Sequence, residues 1–466
     1  MPDEPSRRTF LKEGAAAAAS LTIVPRHVLG GQGQTPPSDK VNIALIGAGG
    51  QGRTNLRSLF EQPDAQVIAV ADPADYFGLE RFYFRGVAGR KALREQIETH
   101  YAASTPNFRC AEYVDYRELL EKEPSVDAVL CATPDHLHAH VSVLAMRAGK
   151  HVYCEKPLTH NIWEARHVAG VAKETGVATQ MGNGGHSRDS MREIVEILQA
   201  GTLGPVREVH AWVGGSRWNP TLTGRPMESH LVPAGLNWDL WLGPREPRPY
   251  HPAYAPVAWR DFWAFGGTNI SDFGCHELDS SCWAFDLAAP AAVEFHPAGP
   301  MDEEIAPHGC LGQYQFAPRG RWPALTINWY DGGLRPPITD TLLEGQPLPS
   351  RGVLFIGEKG AMLTGGAGGA LKLLPASKSA SYAIPPQTIP RSKGHHREWL
   401  DACKGGPAAG SNFEYGARLT EIALLGAIAL RLGRRIEWDA ERMEVKGVPE
   451  AAAMVREPYR AGWELA

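Results

Sequence analysis

Residues 41–55 read VNIALIGAGGQGRTN, and this stretch decides the fold. Its first half is apolar and β-branched, the pattern of a strand buried on both faces of a parallel sheet. It runs into Gly47-Ala48-Gly49-Gly50-Gln51-Gly52 and then into a helical pattern. In that strand–turn–helix context Gly47 permits the tight turn. Gly49 lets the backbone approach a pyrophosphate, and Gly52 lets the helix pack close to the strand. The helix start, with Gly50 and Gln51, offers free N–H groups to phosphates. A second strand, AQVIAVAD, ends at Asp72, twenty residues past Gly52. A carboxylate there accepts a ribose 2′-OH and repels a 2′-phosphate, so NAD is expected rather than NADP.

Strand and helix patterns alternate from here to about residue 183, which predicts a doubly wound parallel sheet. Ligands of such sheets sit at the carboxyl ends of the strands. Three turns fall there: Thr133-Pro134-Asp135 with His136, His138 and His140 behind it; Glu155-Lys156-Pro157; and Asn183-Gly184-Gly185-His186. The histidines suit helix-start packing or cofactor contact. No carboxylate cluster stands near them, so no metal is expected. Residues 76–90 form an aromatic, Arg-bearing insertion that either covers the adenosine side or packs on a neighbouring subunit.

Residues 261–286, DFWAFGGTNISDFGCHELDSSCWAFD, carry the densest chemistry. On a helix Asp272, His276 and Asp279 share one face. An imidazole held by a carboxylate is what general acid–base catalysis requires. The same pair equally makes a buried hydrogen bond that only holds the helix, and a metal held by Asp272, His276 and His186 is a further alternative. Seven of the thirteen tryptophans fall between Trp212 and Trp283. Indole faces stack on sugar rings, so substrate contact is expected from Trp263, with His186 and Arg188 facing the same cleft. A long loop pinned by its own aromatics is the alternative.

The chain has 466 residues, 43% of them hydrophobic and 21% charged, which suits two soluble domains. A net charge of −5 excludes an electrostatic case for nucleic acid. Seven cysteines are spread singly, with no CxxC pair, so neither a disulfide framework nor a cysteine zinc site is expected. Near the start, residues 6–24 read SRRTFLKEGAAAAASLTIV. Arg7-Arg8, then Thr9-Phe10-Leu11-Lys12 and a short apolar run, resemble a twin-arginine export signal. The twin-arginine export machinery is then a partner, and a periplasmic or otherwise exported location is expected. That route carries folded proteins, which agrees with unpaired thiols.

The glycine turn, the acidic strand end, the TP and EKP turns and the later Asp-x-x-x-His occur in one order. Together they resemble the Gfo/Idh/MocA oxidoreductases, from about Val41 to about Glu437. The resemblance implies an N-terminal Rossmann domain, here 39–183, behind a signal and linker, 1–38. It implies a C-terminal α/β domain with a large, open, mostly antiparallel sheet, here 184–440, and leaves a tail, 441–466. It implies cofactor contacts from Thr133, Pro134, His138, Glu155 and Lys156, and places Lys156 beside the nicotinamide and the substrate. Pro157 is a candidate cis proline. Asp272 and His276 match the family's acid–base positions, with His276 as base and Lys156 and Asp272 as its polar partners, or with these roles exchanged. One position departs: many members carry Asn where this chain has Asp135. The open sheet implies a homodimer or homotetramer.

The expected activity is hydride transfer on a sugar or glycoside by an exported, NAD-dependent oxidoreductase. An exported enzyme has no NAD pool to exchange with, so tightly bound NAD is expected. Two alternatives stand beside it: a redox-neutral glycosidase that oxidises, eliminates, hydrates and reduces, and a catalytically idle sugar-binding protein.

Overall fold

β1 (Val41–Ile46) lies inside a parallel six-stranded sheet, between β2 (Ala65–Ala71) and β6 (Ala128–Cys131). A short hairpin of β3 (Phe77–Gly78) and β4 (Val87–Ala88) follows β2 and pairs only with itself. With β5 (Ala111–Tyr113), β7 (His151–Cys154) and β8 (Thr179–Met181) the order is β5-β2-β1-β6-β7-β8. The connections are α1 (Gly50–Phe60), α2 (Arg90–Ala102), α3 (Tyr116–Lys122), α4 (Asp135–Arg147) and α5 (Ile162–Thr175). Strand order reverses between β1 and β6, so a crevice opens at their carboxyl ends. This computed structural model describes residues 35–80, 84–256, 258–338 and 340–465; the twin-arginine stretch lies outside the described residues.

The second sheet has nine strands. They are β9 (Val206–Val213), β10 (Ala292–Ala298), β11 (Gly309–Phe316), β12 (Leu325–Tyr330), β13 (Arg351–Gly357), β14 (Ala361–Gly365), β15 (Leu371–Leu374), β16 (Ile436–Asp439) and β17 (Glu444–Val445). Their order is β15-β14-β13-β9-β12-β11-β10-β16-β17. Only β9 and β12 run parallel; the other neighbours are antiparallel. The two expected architectures are therefore both present.

Helices α6 (Asp189–Gln199), α7 (Thr268–Glu277), α8 (Asp279–Phe285), α9 (His395–Cys403) and α10 (Phe413–Leu432) complete the second half. α10 packs between the two sheets, and its Ile422 and Leu425 share one core with Val141 and Ile162 of the first half and Phe295 of β10. Gly274 lets α7 approach α10: a Cβ there would stand 2.9 Å from that of Ala423. α7 also meets the EKP turn after β7, through Lys156 and Asp272.

The linear domain boundaries are not those of the folded chain. Trp399 and Leu400 of α9 are fully buried in the first domain's core. The expected tail is a packed strap: Glu457 Oε2 lies 3.0 Å from His160 Nδ1, Tyr459 donates to Glu164 Oε1 at 2.5 Å, and Trp463 is buried.

Candidate active site

The glycine turn is shaped for a dinucleotide. Gly47 sits at φ +95°, and a Cβ there would lie 2.5 Å from the carbonyl carbon of Ala132, so the turns after β1 and β6 abut. A Cβ at Gly52 would run into the Gly47 carbonyl. Around Gly49 nothing stands within 4 Å. α1 begins at Gly50, so its first amides have no intrahelical acceptor. Asp72 lies at the far end of the same cleft. Its Oδ1 accepts from Ala74 N at 2.8 Å and its Oδ2 from Ala48 N at 2.7 Å. Burial raises this carboxyl to about 6, against the pull of those amides and of Arg90. Open space over Gly49, free helix-start amides and a carboxylate at the ribose end fit NAD.

The TP and EKP turns are tied together. His138 spans them, with Nδ1 2.7 Å from Pro157 O and Nε2 2.9 Å from Thr133 O. Pro157 follows a cis bond. Glu155 is buried and accepts from Gln51 Nε2 at 3.0 Å and Asn55 Nδ2 at 2.8 Å, which locks the EKP turn onto α1. Thr133, Pro134 and His138 all line the cleft.

The insertion covers the glycine turn of its own chain. A side chain at Gly50 would strike the Phe84 ring, and Arg53 donates to the carbonyls of Phe84, Arg85 and Val87. From the opposite side a loop of the second half is stitched onto the end of β2. Asp75 N donates to Gly235 O at 2.8 Å, Asn237 N donates to Pro73 O at 2.9 Å, and Ala74 bridges to Leu236. Phe84, Leu79, Pro233 and Leu236 thus line one cleft.

At the other end Lys156 Nζ donates to Asp272 O at 3.0 Å and pairs with the Asp272 carboxylate. Arg260 Nε approaches the same carboxylate at 3.3 Å. Burial alone would raise Asp272; Arg260, Lys156 and His276 outweigh it and hold the carboxyl below its usual range. His276, one turn further along α7, is not held by Asp272 through a hydrogen bond; the Oδ1 of that carboxylate pairs with Lys156 and is approached by Arg260. Its Nδ1 is buried without a hydrogen-bond partner. Burial, then Lys156 and Arg351, push its pKa well below 6.5, so the ring is neutral at pH 7.

Three expectations fail on geometry. The single helix carrying Asp272, His276 and Asp279 breaks at Leu278, and Asp279 turns instead to His186 Nδ1 at 3.0 Å, Asn183 Nδ2 at 3.0 Å and Tyr415 Oη at 2.5 Å. His186 is therefore buried in that network, stacked on Trp283, and outside the cleft. This also parts it from Asp272 and His276, so the proposed trio of metal ligands does not assemble. Trp263 is buried behind the cleft, with Nε1 donating to Asp302 O at 3.1 Å and Arg431 over its ring. Arg188 is exposed and is not among the residues lining the cleft; it donates to Ala367 O at 3.2 Å. His136 and His140 are core groups, bonded to Trp241 O and Tyr116 Oη. Cys131, His138 and Cys154 lie close together, yet both His138 nitrogens already face carbonyls.

Sequence reasoning missed Arg260, which lines the cleft, and of the seven clustered tryptophans it singled out Trp263 where Trp241 and Trp259 line the cleft. Arg260 lies 4.0 Å over the Trp259 ring, and the adjacent Asp261 anchors the tryptophan loop through Trp218 N and Asn219 N. An Arg-Asp pair amid tryptophans was the available signal. Asp135, the departing residue, is buried at the cleft and raised by burial, against the nearby charge of Arg260.

Two family models match the chain: the oxidoreductase family's NAD-binding Rossmann fold over residues 41–183, and its C-terminal alpha/beta domain over 188–304. The chain is 38% identical over 206 residues to the 1,5-anhydro-D-fructose reductase of Ensifer adhaerens, covering 43% of this chain and 50% of that one. It is 25% identical over 241 residues to a glycosyl hydrolase family 109 protein of Stenotrophomonas maltophilia, covering 50% and 48%. The chain thus spans about half the length of such curated relatives or less. In fold it is similar to the WlbA dehydrogenase of Bordetella pertussis, crystallised with NADH and UDP-GlcNAcA (TM-score 0.58, 15% identity, covering 86% of this chain and 99% of that one). It is likewise similar to the aldose-aldose oxidoreductase of Caulobacter crescentus (TM-score 0.55, 18% identity, covering 86% and 100%).

Proposed function

This chain belongs to the Gfo/Idh/MocA oxidoreductase family, and from that premise we propose that it transfers hydride to or from a sugar or glycoside while retaining its NAD. The observation that carries the reading is one cleft running from Gly49 and Asp72 to Lys156 and Asp272. Bound NAD supplies the hydride acceptor or donor; the chain supplies the rest. Gly49, the helix-start amides and Asp72 hold the dinucleotide. An ammonium has three N–H donors, and Lys156 uses two on Asp272. The third serves the reacting oxygen and stabilises its developing charge. Neutral His276 takes the hydroxyl proton. The faces of Trp241 and Trp259 suit the apolar faces of a sugar ring.

Retention is supported by the covers over the cleft, Phe84 on one side and the Asp75–Gly235 stitch on the other. It suits export through the twin-arginine route to a compartment without free NAD, and we carry that location and a homodimer or homotetramer as part of the reading. The test is to dialyse the purified protein at length, denature it and count released nucleotide. About one NAD per chain is expected; its loss on dialysis sinks the retention. Gly235→Val opens the stitch, since Gly235 sits at φ +82° with Asp75 Cβ 3.0 Å from a Cβ position, and should shed NAD faster.

A second reading, net hydrolysis through transient oxidation, is favoured by the similarity to the family 109 glycosyl hydrolase protein. Release of a sugar from an aryl glycoside with no net change in NAD distinguishes it from net oxidation.

A further inference from the structure

Beyond Asp272, past the residues that line the cleft, stands a group of cations. Lys156, Arg351 and Arg188 all bear on His276. Arg351 lies 5.0 Å over the Phe273 ring, and Lys156 lies over the same ring at 5.9 Å. Arg188 and Arg351 converge on one turn. Arg188 donates to Ala367 O, while Ala367 N donates at 3.0 Å to Glu277, the buried carboxylate that holds Arg351. Arg335 stands beside the start of β13, donating to Pro349 O at 2.6 Å and Ser350 O at 3.1 Å.

These charges do not balance. Asp272 is shared between Lys156 and Arg260, and Glu277 is taken by Arg351. Among the described residues Arg188 and Arg335 are held by backbone carbonyls and by no carboxylate. The surplus faces outward: Arg188 is exposed, Arg351 is 33% exposed and His276 is half-buried. A guanidinium fork is built to take an oxyanion by two N–H donors. A neutral hydroxyl leaves most of that capacity unused.

Resting on the sugar reading above, we infer that the substrate carries an anionic group, a sugar carboxylate or phosphate, seated between Arg188, Arg351 and His276. The reacting carbon then lies toward Lys156 and the acid group toward Arg188. His276 stands between the two and meets a neighbouring anion that moderates the cations around it.

The test uses the NAD-loaded protein and matched probes: glucose, glucuronate, glucose 6-phosphate, galactose and galacturonate. Calorimetry reads binding, and nicotinamide fluorescence in the same samples reads hydride transfer. An acidic sugar should bind at least about tenfold more tightly than its neutral match, about 1.4 kcal/mol. Added salt should erode that preference. Arg188→Gln should reduce it, and Arg188→Lys should keep part of it. Uronate and phosphate probes separate the two anion sources. Equal or weaker binding of every acid, or a preference intact in Arg188→Gln, overturns the inference. Acid-selective binding with no hydride transfer from any probe keeps the anion seat and removes the oxidoreductase reading. Transfer from neutral sugars alone does the reverse.

Discussion

Lys156 Nζ donates to the backbone carbonyl of Asp272 at 3.0 Å and pairs with the carboxylate of the same residue. The EKP turn of the first domain is thereby clamped to the middle of α7 in the second. Replacing Lys156 with Ala removes the donor that the proposed mechanism aims at the reacting oxygen, while leaving the glycine turn untouched. The expected result is a fall of about 10²–10³-fold in kcat with NAD content unchanged. Loss of NAD in step with activity would instead make Lys156 a cofactor anchor. In the parent enzyme the ascending limb of kcat/KM should fall below pH 6.5, because burial, Lys156 and Arg351 depress His276.

Gly47 and Gly49 should behave oppositely. Gly47→Ala forces a Cβ into the Ala132 carbonyl at φ +95° and should cost about 1–3 kcal/mol of stability. Gly49→Ala meets nothing within 4 Å, so the chain should melt as the parent does when stripped of nucleotide, yet bind NAD poorly. Thermal melts with and without added NAD separate the two.

Asp72 should make cofactor choice depend on pH. Burial raises its carboxyl to about 6, so it is charged at about pH 8 and largely neutral at about pH 5. The neutral form no longer repels a 2′-phosphate. The ratio of NAD to NADP affinity, measured on stripped protein, should therefore shrink as pH falls, and Asp72→Asn should abolish that dependence.

Acid should unfold the protein through its histidines. Burial, the leading cause in each, lowers His140, His395 and His396 to about 4 and His136 well below 6.5. Below pH 6.5 the unfolded chain takes up protons that the folded chain refuses. This stability is therefore present above pH 6.5 and is lost as pH falls toward about 4. Denaturant midpoints across that window should drop, and His140→Phe, which swaps a titratable ring for one that never charges, should flatten the slope.

By itself the sequence determined the dinucleotide turn and the parallel sheet around it, because these rest on local chemistry; the second architecture and the place of Lys156 followed from the resemblance its ordered motifs carry. A glycine at a forced φ, a strand buried on both faces and a helix start beside an acidic strand end are short-range features. It also placed Asp272 and His276 on one helix. It did not reveal that Leu278 breaks that helix and sends Asp279 to His186, or that Trp263 points away from the cleft. Those outcomes depend on which partner reaches a buried group first in space. Lys156, from 116 residues earlier, pairs with the carboxylate that spacing had assigned to His276. Arg260, Phe84 and the stitch between Asp75 and Gly235 are likewise long-range contacts. Burial makes an unpaired charge costly, so the fold settles each carboxylate on the cations its packing delivers. Tertiary structure alone decided which residues line the cleft and which only hold its wall.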